Sequence, residues 1–272
     1  MDEGQYEGLL AELDHRNRDN VARTESYLEL YARARDDGHE LPWLLMAHLV
    51  SRSAGYLMTD LAGASTRPSM FTKDAYGDLF LLLERANFLI FHDAWHHVLL
   101  HLLGRSSAND ERTPRFMREA WARFETSAGE ATPARERRLV VDLVTNEQNL
   151  IENRVVQNER FERGRAMIGF FEALGREAPT VLPLTHAEIR VGGFATLEQR
   201  VRTGERIFDE VLAGHAERDA IFAWATEHPH TGARRVYGAR GNAHLRDVWT
   251  VDAVRALWPD VHAPPAPDAA WP

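Results

Sequence analysis

The segment from Ala75 to Leu103 constrains the fold most, because it is apolar on all sides when it is placed on a helix. A surface helix has one apolar stripe, whereas a helix that is apolar all round must be surrounded by other elements. Glu84, Arg85 and Asn87 interrupt the run, which leaves it well short of a membrane span. The segment therefore predicts a central, buried helix.

Most other segments have the same helical period and carry residues that begin or end helices. Asp19 or Asn20 is expected to cap the first of these helices, and Pro42 and Pro133 suit the first turns of two others. Helices are expected at about 21–35, 42–58, 75–103, 114–126, 134–162, 164–174, 196–213, 215–227 and 250–258. No alternating strand pattern of useful length and no internal repeat are present. The sequence predicts an all-α fold of about eight to ten helices around the 75–103 and 134–162 helices.

The domain organisation is predicted to be simple. Residues 1–262 are expected to form a single all-α domain, and the irregular connection at 175–193 leaves open a second lobe from about residue 194. Residues 263–272 are rich in proline and have the composition of a disordered tail.

Composition excludes several classes of function. The net charge of −9 argues against a nucleic-acid surface, which would need a basic patch. The chain has no cysteine, so disulfides, thiolate metal sites and cysteine nucleophiles are excluded. The N-terminus is acidic and lacks the pattern of a signal peptide. We expect a cytoplasmic protein that binds neither nucleic acid nor membrane.

The long helix at 134–162 carries charged residues where an apolar face should be. On a helical wheel, Glu147 and Arg154 fall near the centre of the apolar arc, and Asn146 lies at its edge. Glu147 and Arg154 are separated by about 10 Å along the axis, so each needs a partner from another helix. A buried charge without a partner is costly, and we therefore expect such partners.

Three other helices offer polar side chains toward the same interior. The 75–103 helix carries Glu84 and Asn87 one turn apart, and the helix at 21–35 places Arg23 on its apolar side. The helix at 42–60 has His48 and Arg52 along one stripe and ends near Asp60. Two interpretations remain open: a structural network that sets helix register, or a polar cavity for a small ligand.

Two weaker patterns in the sequence concern metal or anion binding. His92/His96 and His97/His101 have the spacing of helical metal ligands, but the two pairs point well over 90° apart and predict no mononuclear site. The loop PHTGARRVYG at 229–238 could bind an anion through Arg234 and Arg235, although a solvated turn explains it as well. No metal site and no cofactor are predicted.

Five stretches of the chain resemble an uncharacterised bacterial family, the YppC-like domain of unknown function. They are NxxRTxSY at 20–27, HLVSRSAGYLMTDL at 48–61, LERANFLIFHDA at 83–94, NEQNLIENRV at 146–155 and PHTGAR at 229–234. The resemblance covers roughly residues 17–240 and implies no activity. It implies that the polar positions belong to a shared family pattern: Asn20, Arg23, Thr24, Tyr27, His48, Ser51, Arg52, Tyr56, Thr59, Asp60, Glu84, Arg85, Asn87, Asp93, Asn146, Glu147, Asn149, Glu152, Arg154, His230 and Thr231.

The leading hypothesis is a cofactor-independent helical enzyme that performs acid/base chemistry on a small polar metabolite. Its predicted residues are grouped by role: Glu147 and Glu84 as base and acid or as ligands of an ammonium group, His48 as a proton shuttle, and Arg52, Arg154, Arg23, Asn87, Asn146, Asp60 and Tyr56 around the substrate. One alternative is a non-catalytic scaffold or interaction protein with a structural polar network, and another is a metal-dependent helical enzyme. A homo-oligomer or a protein partner is left open.

Overall fold

The computed structural model describes most of the chain. The described residues are 3–38, 40–62, 73–127, 129, 132–173, 182–183, 188–189, 196–230, 256 and 258–265. The predicted loops at 62–72, 175–193 and 228–244, the helix at 250–258 and the tail therefore lie largely outside the described residues.

The described part of the chain is all-α, as the helical period predicts. Its α-helices are α1 (Glu3–Arg16), α2 (Asn20–Asp36), α3 (Pro42–Ala62), α4 (Lys73–Leu102), α5 (Arg115–Thr126), α6 (Thr132–Ile151), α7 (Glu162–Ala173), α8 (Leu197–Ile207) and α9 (His215–Glu227). Two-residue strands, β1 (Leu182–Pro183) and β2 (Glu188–Ile189), pair antiparallel. Within the described ranges, no helix combines the length and hydropathy that crossing a membrane requires.

Local signals place several helix ends correctly. Asp19 is the N-cap of α2, and its carboxylate accepts a hydrogen bond from the Ala22 amide at 2.9 Å. Gly38 and Gly104 follow α2 and α4 with positive φ angles of 77° and 68°, a conformation that glycine adopts without strain.

Two expectations about helices are wrong. Helix α1 was not predicted, although its Tyr6 and Leu13 are buried and contribute to the core. The helix expected at 134–162 ends as an α-helix at Ile151 and continues as a π-helical turn over Glu152–Val156, in which the Gln157 amide donates to the Glu152 carbonyl. A π turn carries one more residue than an α turn and so rotates the following side chains away from their expected positions.

Helix α4 lies at the centre of the core, as its apolar surface predicts, and packs against α1, α3, α6 and α7. An aromatic cluster joins it to α2 and α3. The Tyr27 ring stacks on Trp95 at 4.5 Å and contacts Phe91 at 4.6 Å and the edge of Trp43 at 5.9 Å, measured between ring centroids. These four rings are almost completely buried, and Trp43 also binds one of the polar side chains described next.

Candidate functional site

The Glu147 carboxylate lies in the interior between α6 and α3. Only 8% of the residue is exposed, and its Oε1 accepts a hydrogen bond from Trp43 Nε1 at 2.6 Å. Burial raises the pKa of Glu147 to about 8, and the negative charge of Asp93 acts in the same direction, while the Trp43 hydrogen bond opposes both. The Glu147 carboxyl therefore holds a proton at neutral pH.

Asp93 on α4 is the second carboxylate of this group and is half-buried. Its Oδ2 accepts a hydrogen bond from Asn146 Nδ2 at 2.6 Å, so α4 and α6 meet at this point. Burial raises the pKa of Asp93, although the Asn146 hydrogen bond and the charges of His92 and Arg154 oppose the rise. We call Glu147, Asp93, Asn146 and Trp43 the carboxylate site.

Two buried polar atoms, one in the carboxylate site and one on the Tyr27 ring that packs against Trp43, have no hydrogen-bond partner among the described residues. One is Oδ1 of Asn146, on the same amide that donates to Asp93, and the other is the hydroxyl of Tyr27. Burial raises the pKa of Tyr27 well above its usual value, and the charge of Glu147 adds to the rise. Buried polar groups are almost always satisfied, so these two atoms favour a bound water or ligand.

Arg154 belongs to the π turn and is half-buried, not at the centre of the buried face as the α-helical wheel predicts. The π turn is the physical reason, because it changes the rotation between residues 147 and 154. The positive charge of Arg154 acts on Asp93 and opposes the rise of its pKa, so this arginine lies near the carboxylate site.

Glu84 lies in a different group of residues. Its Oε1 accepts hydrogen bonds from Arg23 Nη2 at 2.7 Å and from His262 Nε2 at 2.9 Å, and its Oε2 accepts from Arg23 Nη1 at 3.3 Å. The Asn17 Oδ1 atom accepts from Arg23 Nε at 2.7 Å. Burial alone would raise the pKa of Glu84, but Arg23 and His262 outweigh it and lower the pKa. This ion pair holds α2 against α4.

His48 and Arg52 belong to a third group, between α2, α3 and the end of α9. The His48 Nδ1–H donates to the Thr24 carbonyl at 2.9 Å, and its Nε2 has no partner among the described residues. Arg52 donates to the His228 carbonyl and lies over the Trp224 ring at 4.5 Å. Both side chains are fully buried.

The loop after α9 joins this third group. His230 Nε2 contacts Asn20 Oδ1 at 2.8 Å, and the His230 amide donates to Glu25 at 2.7 Å. Thr24 and Ser51 share a hydrogen bond of 2.7 Å between their hydroxyls. Described residues from three of the quoted sequence stretches, those beginning at 20, 48 and 229, thus meet in space.

Comparison with known proteins agrees with the sequence resemblance. A family model described as "Protein of unknown function (DUF2515)" matches residues 15–271. The chain belongs to this family. It is also similar to "Uncharacterized protein YppC" of Bacillus subtilis (strain 168), with 31% identity over 236 residues that cover 80% of this chain and 68% of the relative. No solved structure matches.

The interior of this DUF2515 protein thus distributes the predicted site residues over three groups. Glu147, Asn146 and Arg154 lie at or beside the carboxylate site, Glu84 pairs with Arg23, and His48 neighbours Arg52. Asn87 is buried on α4. The side chains of Tyr56 and Asp60 lie outside the described residues.

Three contributors to these groups were not among the predicted site residues. Trp43 and His262 are distant in sequence from the carboxylates they contact. Asp93 appeared in the quoted stretch LERANFLIFHDA, but its position on the helical wheel did not separate it from surface residues. Its neighbour His92, whose charge acts on both Asp93 and Asp14, is half-buried beside it.

The histidines of α4 do not come together as metal ligands. His96 lies between the Tyr6 hydroxyl and Asp110, with 3.2 Å to Asp110 Oδ1, whereas His97 accepts from Trp121 Nε1 at 3.2 Å. Within the described residues, no three histidine, aspartate or glutamate side chains are arranged to hold a metal ion. The loop residues Arg234 and Arg235 lie outside the described part.

We expect acid to destabilise this protein from about pH 6.5 downward. Burial lowers the pKa of His48 and of His97 to about 3 and that of His230 to about 2, with the positive charge of Arg52 also acting on His48 and His230. These histidines stay neutral in the folded state while the unfolded chain binds protons. Each can lower the free energy of unfolding by up to about 1.4 kcal/mol per pH unit below pH 6.5.

Urea unfolding at a series of pH values between 7.5 and 5 measures this effect. The variant His97→Gln should reduce the slope of unfolding free energy against pH, and His15→Gln, which replaces an exposed histidine, is its control. Equal slopes for the wild type and His97→Gln would contradict the prediction.

Proposed function

We propose that this DUF2515 protein is a cofactor-independent helical enzyme that performs acid/base chemistry on a small polar metabolite at the carboxylate site. The single observation that carries the proposal is the environment of Glu147. Its buried carboxyl receives a hydrogen bond from Trp43 and, within the described ranges, forms no ion pair with arginine or lysine. With a pKa of about 8, it can both donate and accept a proton near neutral pH.

Together with Glu147, Asp93 can divide the roles of proton donor and proton acceptor between two carboxyl groups. The negative charge of Asp93 raises the pKa of Glu147, and two carboxyl groups that interact in this way can bind protons in separate steps, with one protonated while the other is ionised. Asp93 is half-buried and therefore nearer to solvent than Glu147, which suits exchange of the proton with water. Arg154, whose charge acts on Asp93, is suited to hold an anionic part of a substrate.

The Arg23–Glu84 pair is assigned a positioning role in this proposal. Its hydrogen bonds connect α2 to α4, the two helices that carry Tyr27 and Asp93. His48 and Arg52 would similarly hold α3, and with it Trp43, against α2. These residues would therefore act on the chemistry through the helices they join.

The non-catalytic scaffold is a second candidate, favoured by the closed ion pairs elsewhere in the core. Besides Arg23–Glu84, the fully buried Arg218 binds Glu136 at 2.6 Å and Glu40 at 2.7 Å and thereby joins α9 to α6 and to the residues before α3. Such networks stabilise one helix register without any reaction. The two candidates differ in whether Glu147 exchanges a proton at neutral pH.

Carbon NMR of protein labelled at the glutamate carboxyl carbon tests the proposed function. One glutamate resonance should titrate near pH 8, and this resonance should be absent from Glu147→Gln. A Glu147 resonance that titrates at the ordinary value of glutamate would remove the acid/base role. In a metabolite screen by thermal shift, compounds that use the site should stabilise the wild type and not Glu147→Gln.

A further inference from the structure

Buried carboxylates in the described core are neutralised by arginine. Glu84 pairs with Arg23 at 2.7 Å, and Glu136 pairs with Arg218 at 2.6 Å, and both arginines are fully buried. This pairing offsets the large cost of removing an ionised carboxylate from water. A carboxylate in the same core without a cation is therefore an exception.

Glu147 and Asp93 are this exception. Their hydrogen-bond donors are the neutral Trp43 indole and the neutral Asn146 amide. Within the described ranges, neither carboxylate forms an ion pair with arginine, lysine or histidine. The negative charge of Asp93 acts on Glu147, and the two side chains are linked by Asn146, the chain neighbour of Glu147 that donates to Asp93.

Two buried atoms near Glu147 and Asp93 can accept hydrogen bonds and have no donor among the described residues. Asn146 is 1% exposed, and its Oδ1 is an acceptor without a partner on an amide that is already fixed by its bond to Asp93. The fully buried Tyr27 hydroxyl can accept as well and has no partner among the described residues. A ligand that satisfies these atoms must supply several N–H or O–H groups.

We infer that the ligand of the carboxylate site is a small amine, whose ammonium group binds between Glu147 and Asp93 and donates a hydrogen bond to Asn146 Oδ1. This inference rests on the proposed function and names its substrate class. An ammonium group has three donors and no acceptor, which matches the atoms present. The Trp43 and Tyr27 rings exclude water around it, so its attraction to the carboxylates is stronger than in solvent.

Binding of a cation should be coupled to proton release. Without ligand, the Glu147 carboxyl is protonated at neutral pH, and a nearby ammonium group favours its ionised form. The charged groups around the pair are His92 on α4, Arg154 on the π turn and, through its interaction with His92, Asp14 on α1. We therefore expect about one proton to be released for each amine bound at pH 7.

Isothermal titration calorimetry on the full chain tests the inference, with methylammonium chloride and ethylenediamine dihydrochloride as probes. Titrations at pH 7 in two buffers of different ionisation enthalpy give the number of protons released. Potassium chloride and ethylene glycol serve as a cation control and a neutral control. The matched variant is Asp142→Asn, which removes a half-buried carboxylate from the same helix, where it pairs with Arg123 at 3.0 Å.

We expect the wild type and Asp142→Asn to bind the amines saturably and to release protons. In Glu147→Gln, amine binding should be at least about tenfold weaker. Amine heats equal to those of potassium chloride, or equal binding by Glu147→Gln, would overturn the inference. If ethylene glycol binds and the amines do not, the amine assignment fails while the proposed function stands. If the NMR titration also places the Glu147 pKa at its ordinary value, both fail.

Discussion

Replacing Glu84 with glutamine is expected to lower the free energy of unfolding by about 3–5 kcal/mol at pH 7, the range found when one partner of a buried ion pair is removed. The carboxylate accepts hydrogen bonds from two nitrogens of Arg23 and from His262. Glutamine has nearly the same shape but no charge. The Arg23 guanidinium, which is completely buried, would then lack its counter-charge.

Chemical denaturation of Glu84→Gln measures this loss, and Glu29→Gln is its matched control. Glu29 binds two nitrogens of Arg16 at 2.6 and 2.8 Å, so the bonding resembles that of Glu84, but the Glu29 side chain is 61% exposed. An exposed pair contributes at most about 1 kcal/mol, and the control should lose no more than that. Equal losses in the two variants would show that burial of the Glu84 pair is unimportant.

The pH dependence of the stability lost in Glu84→Gln gives a second check. The lowered pKa of Glu84 means that its contribution is fully present above the ordinary pKa of glutamate and disappears as the pH falls through the lowered value. The difference between wild type and Glu84→Gln should therefore narrow in acid. The double variant Arg23→Met/Glu84→Met should be more stable than Glu84→Gln, because it leaves no buried charge.

Glu147→Gln is expected to have the opposite effect and to stabilise the protein increasingly as the pH rises from about 5 to about 8. In this range the folded wild type keeps a proton on Glu147 that the unfolded chain has released, because burial raises the pKa to about 8. Wild-type stability therefore falls by up to about 1.4 kcal/mol per pH unit from this group. Glutamine does not titrate and can still accept the Trp43 hydrogen bond.

The increase in the free energy of unfolding of Glu147→Gln over wild type should be on the order of 3 kcal/mol at pH 8 and small at pH 5. Denaturation of wild type and Glu147→Gln at matched pH values measures it, and the difference between the two cancels the effect of the buried histidines. The variant Asp142→Asn, which removes a half-buried carboxylate from the same helix, is the matched control. A Glu147→Gln protein that is less stable than wild type at every pH would mean that Glu147 is ionised and paired in the folded state.

The opposite signs predicted for Glu84 and Glu147 distinguish a carboxylate that pairs with arginine from one that we propose takes part in acid/base chemistry. Both lie on buried faces of neighbouring helices, at 4% and 8% exposure, and they differ in the partner that the fold supplies. If Glu147 makes the protein less stable than glutamine does at this position, that is consistent with an active-site residue, since strained or unsatisfied groups persist where function requires them. The pair of variants thus tests the scaffold candidate and the enzyme candidate in one experiment.

The all-α class and most helix positions follow from the sequence, because helical period, caps and helix-ending glycines are local properties of the chain. Helix α4 was correctly predicted as the central element from its apolar surface, and Glu147 was correctly predicted to be buried. Helix α1 was missed because Tyr6, Leu9, Leu10 and Leu13 form only a short apolar stripe in a segment that contains two glycines.

The pairing of the polar side chains was decided only by the tertiary structure. Wheel positions show that Glu84, Glu147 and Arg23 face the interior, but they do not show which of them meet. That depends on how the helices cross and on long-range contacts such as Trp43 with Glu147 and His262 with Glu84. The π turn, which displaces Arg154, also depends on packing, because its extra residue per turn has no marker in local helix propensity.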